Sequence, residues 1–87
     1  MIKKEITIMN KTGLHARPAS MFVQKASKFK SSIMIEKEDK KINAKSIISV
    51  LSGGMGQGTK ITLVIDGEDE QEAEKVLVEL IESNFGE

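Results

Sequence analysis

Pro18 is the only proline in this 87-residue chain, and it fixes where one helix must begin. A proline is accommodated in the first turn of a helix, where its missing N–H would have had no partner. Behind it, Ala19, Phe22, Val23, Ala26 and Phe29 recur at three- and four-residue spacing, which is one face of a helix reaching to about Phe29. His15, the only histidine, therefore falls at or beside the N-cap, at the positive end of the helix dipole and among unpaired backbone N–H groups. Arg17 follows two residues later. Together they form a small anion site with an imidazole in it.

Capping does not explain the histidine, which is a poorer N-cap than Ser, Thr, Asp or Asn. A single imidazole with no cysteine also excludes the usual metal-ligand clusters. A Ser-His-Asp triad is excluded only weakly, because serines and acids are plentiful. A nucleophilic imidazole that accepts a phosphoryl group fits better. The neutral ring attacks, while helix N–H groups and Arg17 stabilise the phosphate.

Elsewhere the pattern alternates between periods of two and 3.6. Ile2, Ile6 and Ile8 stand on alternate positions among Lys3, Glu5 and Thr7, so the chain opens with a half-buried strand. Ile33 and Ile35 predict a second strand over Ser32–Lys37, Glu38-Asp39-Lys40 a charged turn, and Lys41–Ala44 a short third strand. Ser46 is a good N-cap for a two-turn helix, Ile47 to Ser52. Ile61, Leu63 and Ile65 define a fourth strand. Asp69 with Glu72 three residues on reads as a capping box, and Ala73, Val76, Leu77, Leu80 and Ile81 form the apolar stripe of a last helix. The order is β-α-β-β-α-β-α, with residues 1–87 expected to form one domain. Alternating strands want one covered face, which three helices can supply. The expected fold is an α/β (α+β) open-faced sandwich.

Composition narrows the function. The 13 basic and 13 acidic residues cancel, which argues against nucleic acid as the partner. No Trp or Tyr is present to stack bases or sugars. No segment approaches the roughly 20 apolar residues of a membrane span and no signal peptide is recognisable. Together with the absence of cysteine, this predicts a cytoplasmic protein with no membrane partner.

The glycine run from Gly53 to Gly58 is not a nucleotide loop. It follows a helix and enters a strand, the reverse of a phosphate cradle. It reads instead as a helix end and turn that let the Ser52–Gly54 backbone pass near His15. A two-turn helix cannot bury three adjacent faces, so Ile47, or Ile48 and Leu51, should form an exposed apolar patch beside His15. Lys45 reads as a solvated lysine or a partner contact.

The segment Asn10–Ala19, with its Gly-Leu-His-Ala-Arg-Pro-Ala core, resembles the HPr phosphocarriers of the bacterial sugar phosphotransferase system, and so do Val23–Phe29 and Asn43–Ile47. The resemblance covers essentially the whole chain. It implies a four-stranded antiparallel sheet with all helices on one face, and a phosphoryl carrier rather than an enzyme. Phosphate would pass from phospho-enzyme I to the Nδ1 (pros) nitrogen of His15 and on to enzyme IIA domains. Arg17 and the backbone N–H groups of Ala16 and Arg17 would surround it, with no cofactor and no metal. In Gram-positive relatives the serine matching Ser46 is phosphorylated by an ATP-dependent kinase, so the resemblance also implies regulation through HPr kinase/phosphorylase and a catabolite-control repressor. A mainly regulatory protein acting through Ser46 is the alternative; relatives specialised that way can replace the histidine. The expected docking surface comprises Ser20, Gln24, Ile47, Ile48 and Leu51 on a monomer. Many relatives carry methionine-glycine at 48 and 49, methionine at 51 and leucine at 53, where this chain has Ile48, Ser49, Leu51 and Gly53.

Overall fold

Strand and helix periodicities resolve into β1 (Ile2–Thr7), α1 (Ala16–Ser27), β2 (Ser32–Lys37), β3 (Lys40–Asn43), α2 (Ile47–Ser52), β4 (Lys60–Asp66) and α3 (Glu70–Glu82). A single 3₁₀ turn, Asn84–Gly86, follows. The structure is a computed structural model and describes residues 1–86. All strand pairs are antiparallel, in the spatial order β1-β4-β2-β3. The β-α-β-β-α-β-α order and the open-faced sandwich are those expected.

Register explains which face is covered. Ile2 and Ile6 stand opposite Ile65 and Ile61, and Ile33 and Ile35 opposite Ile65 and Leu63. Period two then puts all of them on one face, where Ile33, Ile35, Ile61, Leu63 and Ile65 are buried. Phe22 and Ala26 of α1 and Ala73, Leu77 and Ile81 of α3 close over it. Each large apolar side chain fully buried there is worth about 1.5–3 kcal/mol. Val50 is the only buried residue of α2. The other sheet face is mixed, presenting Lys3, Glu5 and Thr62 beside half-buried Val64 and Met34.

Three local expectations need correcting. First, α1 ends at Ser27, two residues short of Phe29. Half-buried Lys45 marks that end. Its ammonium donates to the Phe29 carbonyl at 2.7 Å, just beyond the helix end, where a cation suits the dipole. Second, β3 starts at Lys40, because the turn tightens to Glu38-Asp39 with Glu38 at φ +54°. Third, the capping box at Asp69 does not form. The Asp69 carboxylate instead accepts from Ser31 Oγ (2.5 Å) and from the backbone N–H groups of Lys30 (2.8 Å) and Ser31 (2.9 Å), tying α3 to the start of β2. Those bonds, the Ser31 hydroxyl foremost and then the Lys30 N–H, lower its pKa to about 2.

Candidate functional site

His15 is the N-cap of α1. Its backbone is extended (φ −127°, ψ 156°), its side chain makes no capping bond, and it is exposed. The first helical hydrogen bond runs from Ala19 N to His15 O at 3.3 Å. The amides of Ala16 and Arg17 precede that bond and have no intrahelical partners, and Pro18 has no N–H, so these two amides stand at the helix mouth. Residues 6 to 35 contain no acid, so nothing on this stretch of chain competes with an anion there. Ala16 itself lies at φ +34°, in the left-handed region. For an alanine this costs about 1–3 kcal/mol and must be imposed by the surroundings. No residue type signals it in the sequence.

The surroundings are visible. Gly13, at φ +64°, lies against the loop after α2. A Cβ added there would stand 2.3 Å from Met55 O and 2.5 Å from Gly56 Cα. Leu14 N donates to Met55 O at 2.7 Å. Only glycine permits both the φ and the approach. The glycine run therefore does pass beside the histidine: Gly54, Met55 and Gly56 line a depression with His15, and the backbone pressed against Gly13 is Met55–Gly56. At Gly53 the need is also space. Its φ is ordinary, but an added Cβ would meet Ile42 Cδ1 at 2.7 Å and Met55 Cε at 2.9 Å. Lys37 Nζ fastens this end of α2, donating to the carbonyls of Gly53 (3.2 Å) and Gly54 (2.9 Å).

His15 stands between two shallow depressions. One, shared with Thr12, Ala16, Arg17 and Pro18, faces the helix mouth; the other, shared with Leu14, Leu51, Gly54 and Met55, leads to α2. All three apolar α2 candidates are exposed: Ile48 by 75%, Leu51 by 43% and Ile47 by 38%. Leu51 joins this patch to the histidine. Arg17, Ser20 and Gln24 share one face of α1 by their spacing, with Arg17 and Gln24 exposed and Ser20 half-buried. Ser46 is the N-cap of α2, as expected, and its Oγ accepts from Ser49 N at 3.3 Å. Among the described residues no group of three acids, histidines or cysteines is placed to hold a metal, and no helix is long and apolar enough to cross a membrane.

The fold thus presents an exposed imidazole at a helix mouth with no acid in its first turn, carried on an open-faced sandwich. Comparison with known proteins places the chain in a family of phosphocarriers. The family model described as "PTS HPr component phosphorylation site" matches residues 2–83. The chain is 51% identical over 82 residues to the HPr-like protein Crh of Halalkalibacterium halodurans, covering 94% of this chain and 98% of that one. It is 46% identical to the phosphocarrier protein HPr of Neisseria meningitidis, covering 100% and 98%. A crystal structure of HPr-C-His from Thermoanaerobacter tengcongensis superimposes with a TM-score of 0.98 at 59% identity, over 100% of this chain and 98% of that one. A structure described as an HPr dimer from the same organism gives 0.80 at the same identity, over 100% of both chains. This chain belongs to the HPr family of the phosphotransferase system.

Proposed function

We propose that His15 is a phosphoryl carrier, taking the group from the phosphohistidine of enzyme I and passing it to enzyme IIA domains for sugar uptake. The observation that carries this reading is an exposed imidazole at the N-cap of a helix whose first amides, those of Ala16 and Arg17, are open. In the transfer, the lone pair of Nδ1 forms one P–N bond as the donor imidazole's P–N bond breaks. The two amides and the Arg17 guanidinium hold the phosphoryl oxygens. Nothing in this exchange requires a cofactor or metal. Ser20, Gln24, Ile47, Ile48 and Leu51 form the docking surface, and a small patch of this kind suits partners that must leave quickly. In this reading the protein acts in the cytoplasm as a monomer.

A second role, regulation through Ser46 by a kinase/phosphorylase and a catabolite-control repressor, draws support from likeness to Crh, described as the catabolite repression HPr of Bacillus subtilis. Ser46 sits at a helix N-terminus that tolerates a phosphate, next to exposed Ile47. The presence of His15 with Arg17 supports carrier activity alongside it. Incubation with purified enzyme I and radiolabelled phosphoenolpyruvate tests the main reading. Base-stable, acid-labile label should appear on the wild type and be absent from a normally folded His15→Ala. Label retained by that variant would refute it, and an unlabelled wild type that is phosphorylated on Ser46 would leave only the regulatory role. Light scattering checks the oligomeric state, where a stable dimer would contradict the monomer.

A further inference from the structure

We propose that Asn10 is a positioning residue for phosphoryl acceptance, setting where His15 stands by gripping both polar groups of Gly13. This rests on the reading of His15 as acceptor. Asn10 and Ser31 are the two buried polar residues among those described, with Asn10 only 3% exposed. A buried side-chain amide is retained where its hydrogen bonds matter. The Ser31 hydroxyl serves Asp69. Asn10 serves the histidine loop: its Nδ2 donates to Gly13 O at 2.9 Å and to Thr12 Oγ1 at 3.3 Å, and its main-chain carbonyl accepts from Gly13 N at 3.1 Å.

The remainder of the loop is attached from the other side. Ile8 N donates to Thr59 O (2.9 Å), Gly58 N to Ile8 O (2.6 Å), Gln57 Nε2 to Met9 O (3.1 Å) and Leu14 N to Met55 O (2.7 Å). Residues 8–9 and 14 are thus fastened to the loop 55–59, and the span between them is closed by Asn10. Two residues past Gly13, the His15 side chain has no capping bond of its own. The imidazole therefore inherits its position from the backbone that Asn10 and Met55 hold. Phosphoryl exchange between two nitrogens depends on alignment, and misplacement by about 1 Å can slow a reaction about 100-fold.

The test compares wild type, Asn10→Ala and Asn10→Asp as substrates of enzyme I. The aspartate keeps the shape but turns the donor into an acceptor facing Gly13 O. Both variants should show kcat lowered about 10-fold or more with the apparent KM for the carrier unchanged, because the docking surface is untouched. Ser31→Ala, which loses the other buried polar group, should lower Tm without that kcat effect. A kcat equal to wild type, or a change confined to KM, overturns the proposal. A second measurement covers variants that do not fold. In the wild type, NMR should detect slow exchange of the Asn10 side-chain amide and coupling from it across the hydrogen bond to the Gly13 carbonyl; a freely exchanging, uncoupled amide is the opposing result. If the wild type takes no label, it is the carrier reading that fails. Asn10 is then judged on that coupling and on whether the His15 ring resonances shift in the variants, unmoved resonances counting against it.

Discussion

The N-termini of α1 and α3 present the same problem, unpaired amides at the positive end of a dipole, and meet it in opposite ways. At α3, Glu70 and Glu72 stand in the first turn and Asp69 is the N-cap. The Glu70 carboxylate accepts from Gly67 N at 3.0 Å, a bond that holds its pKa below the usual carboxylate range. This end is filled with the protein's own anions. At α1 there is no acid in the first turn, the cap makes no side-chain bond, and the second residue of the cap region, Ala16, is strained. An end without an internal anion has room for an external one. What α1 forgoes in local stability, α3 and its link to Ser31 supply elsewhere in the molecule.

The sharpest way to break this contrast is to give α1 the chemistry of α3. Arg17→Glu places a carboxylate in the first turn and should stabilise the helix by about 0.3–1 kcal/mol. It should also cut phosphoryl acceptance from enzyme I about 100-fold or more, since an oriented cation is replaced by a repelling charge. Single-turnover labelling with thermal melts measures both; unchanged labelling would mean the open mouth is not the phosphate site.

The reverse experiment opens the α3 side. Asp69→Asn should lower Tm by several degrees at neutral pH and leave phosphoryl acceptance intact. The pH dependence has a definite sign. The folded-state pKa of Asp69 is about 2, below the value of 3.8 without these bonds. Its contribution is therefore fully present above about pH 4 and lost as pH falls through about 2. The wild type should lose stability across that window, and Asp69→Asn should lose less. Parallel acid melts of the two proteins would show that the Ser31 link contributes nothing.

A smaller effect is expected at α2, whose N-terminus is capped by its own Ser46. Aspartate is as good an N-cap as serine, so Ser46→Asp should keep stability within about 0.5 kcal/mol. Beside the exposed Ile47 and Ile48, the added charge should raise the apparent KM for enzyme I several-fold. Identical kinetics at low carrier concentration would reduce Ser46 to a cap. Smallest of all is Ile48→Ser. With its side chain 75% exposed, its stability change should stay within about 0.5 kcal/mol, and only the KM should rise. A loss of Tm there would show that Ile48 belongs to the core.

Local pattern was enough to read all seven strands and helices and the position of His15. The 3.6 period behind Pro18 requires one buried face, and Ile61, Leu63 and Ile65 can share a face only in a strand. The bounds of α2 follow from Ser46, because a side-chain cap three residues from its partner is a local interaction. Only the tertiary structure decided what distant residues do to one another. The spatial order β1-β4-β2-β3, the diversion of Asp69 from its own helix to Ser31, and the use of Lys45 and Lys37 at helix ends all join residues 16 or more positions apart. Such pairs leave no periodic trace. The same holds for Gly13, whose neighbour's carbonyl comes from Met55, and for Asn10, whose type looks like an ordinary loop residue until burial shows that its amide must be bonded. The histidine was legible because a proline and a helix face locate it. The geometry that presents it was not, because that geometry is the product of two loops some forty residues apart pressing their backbones together.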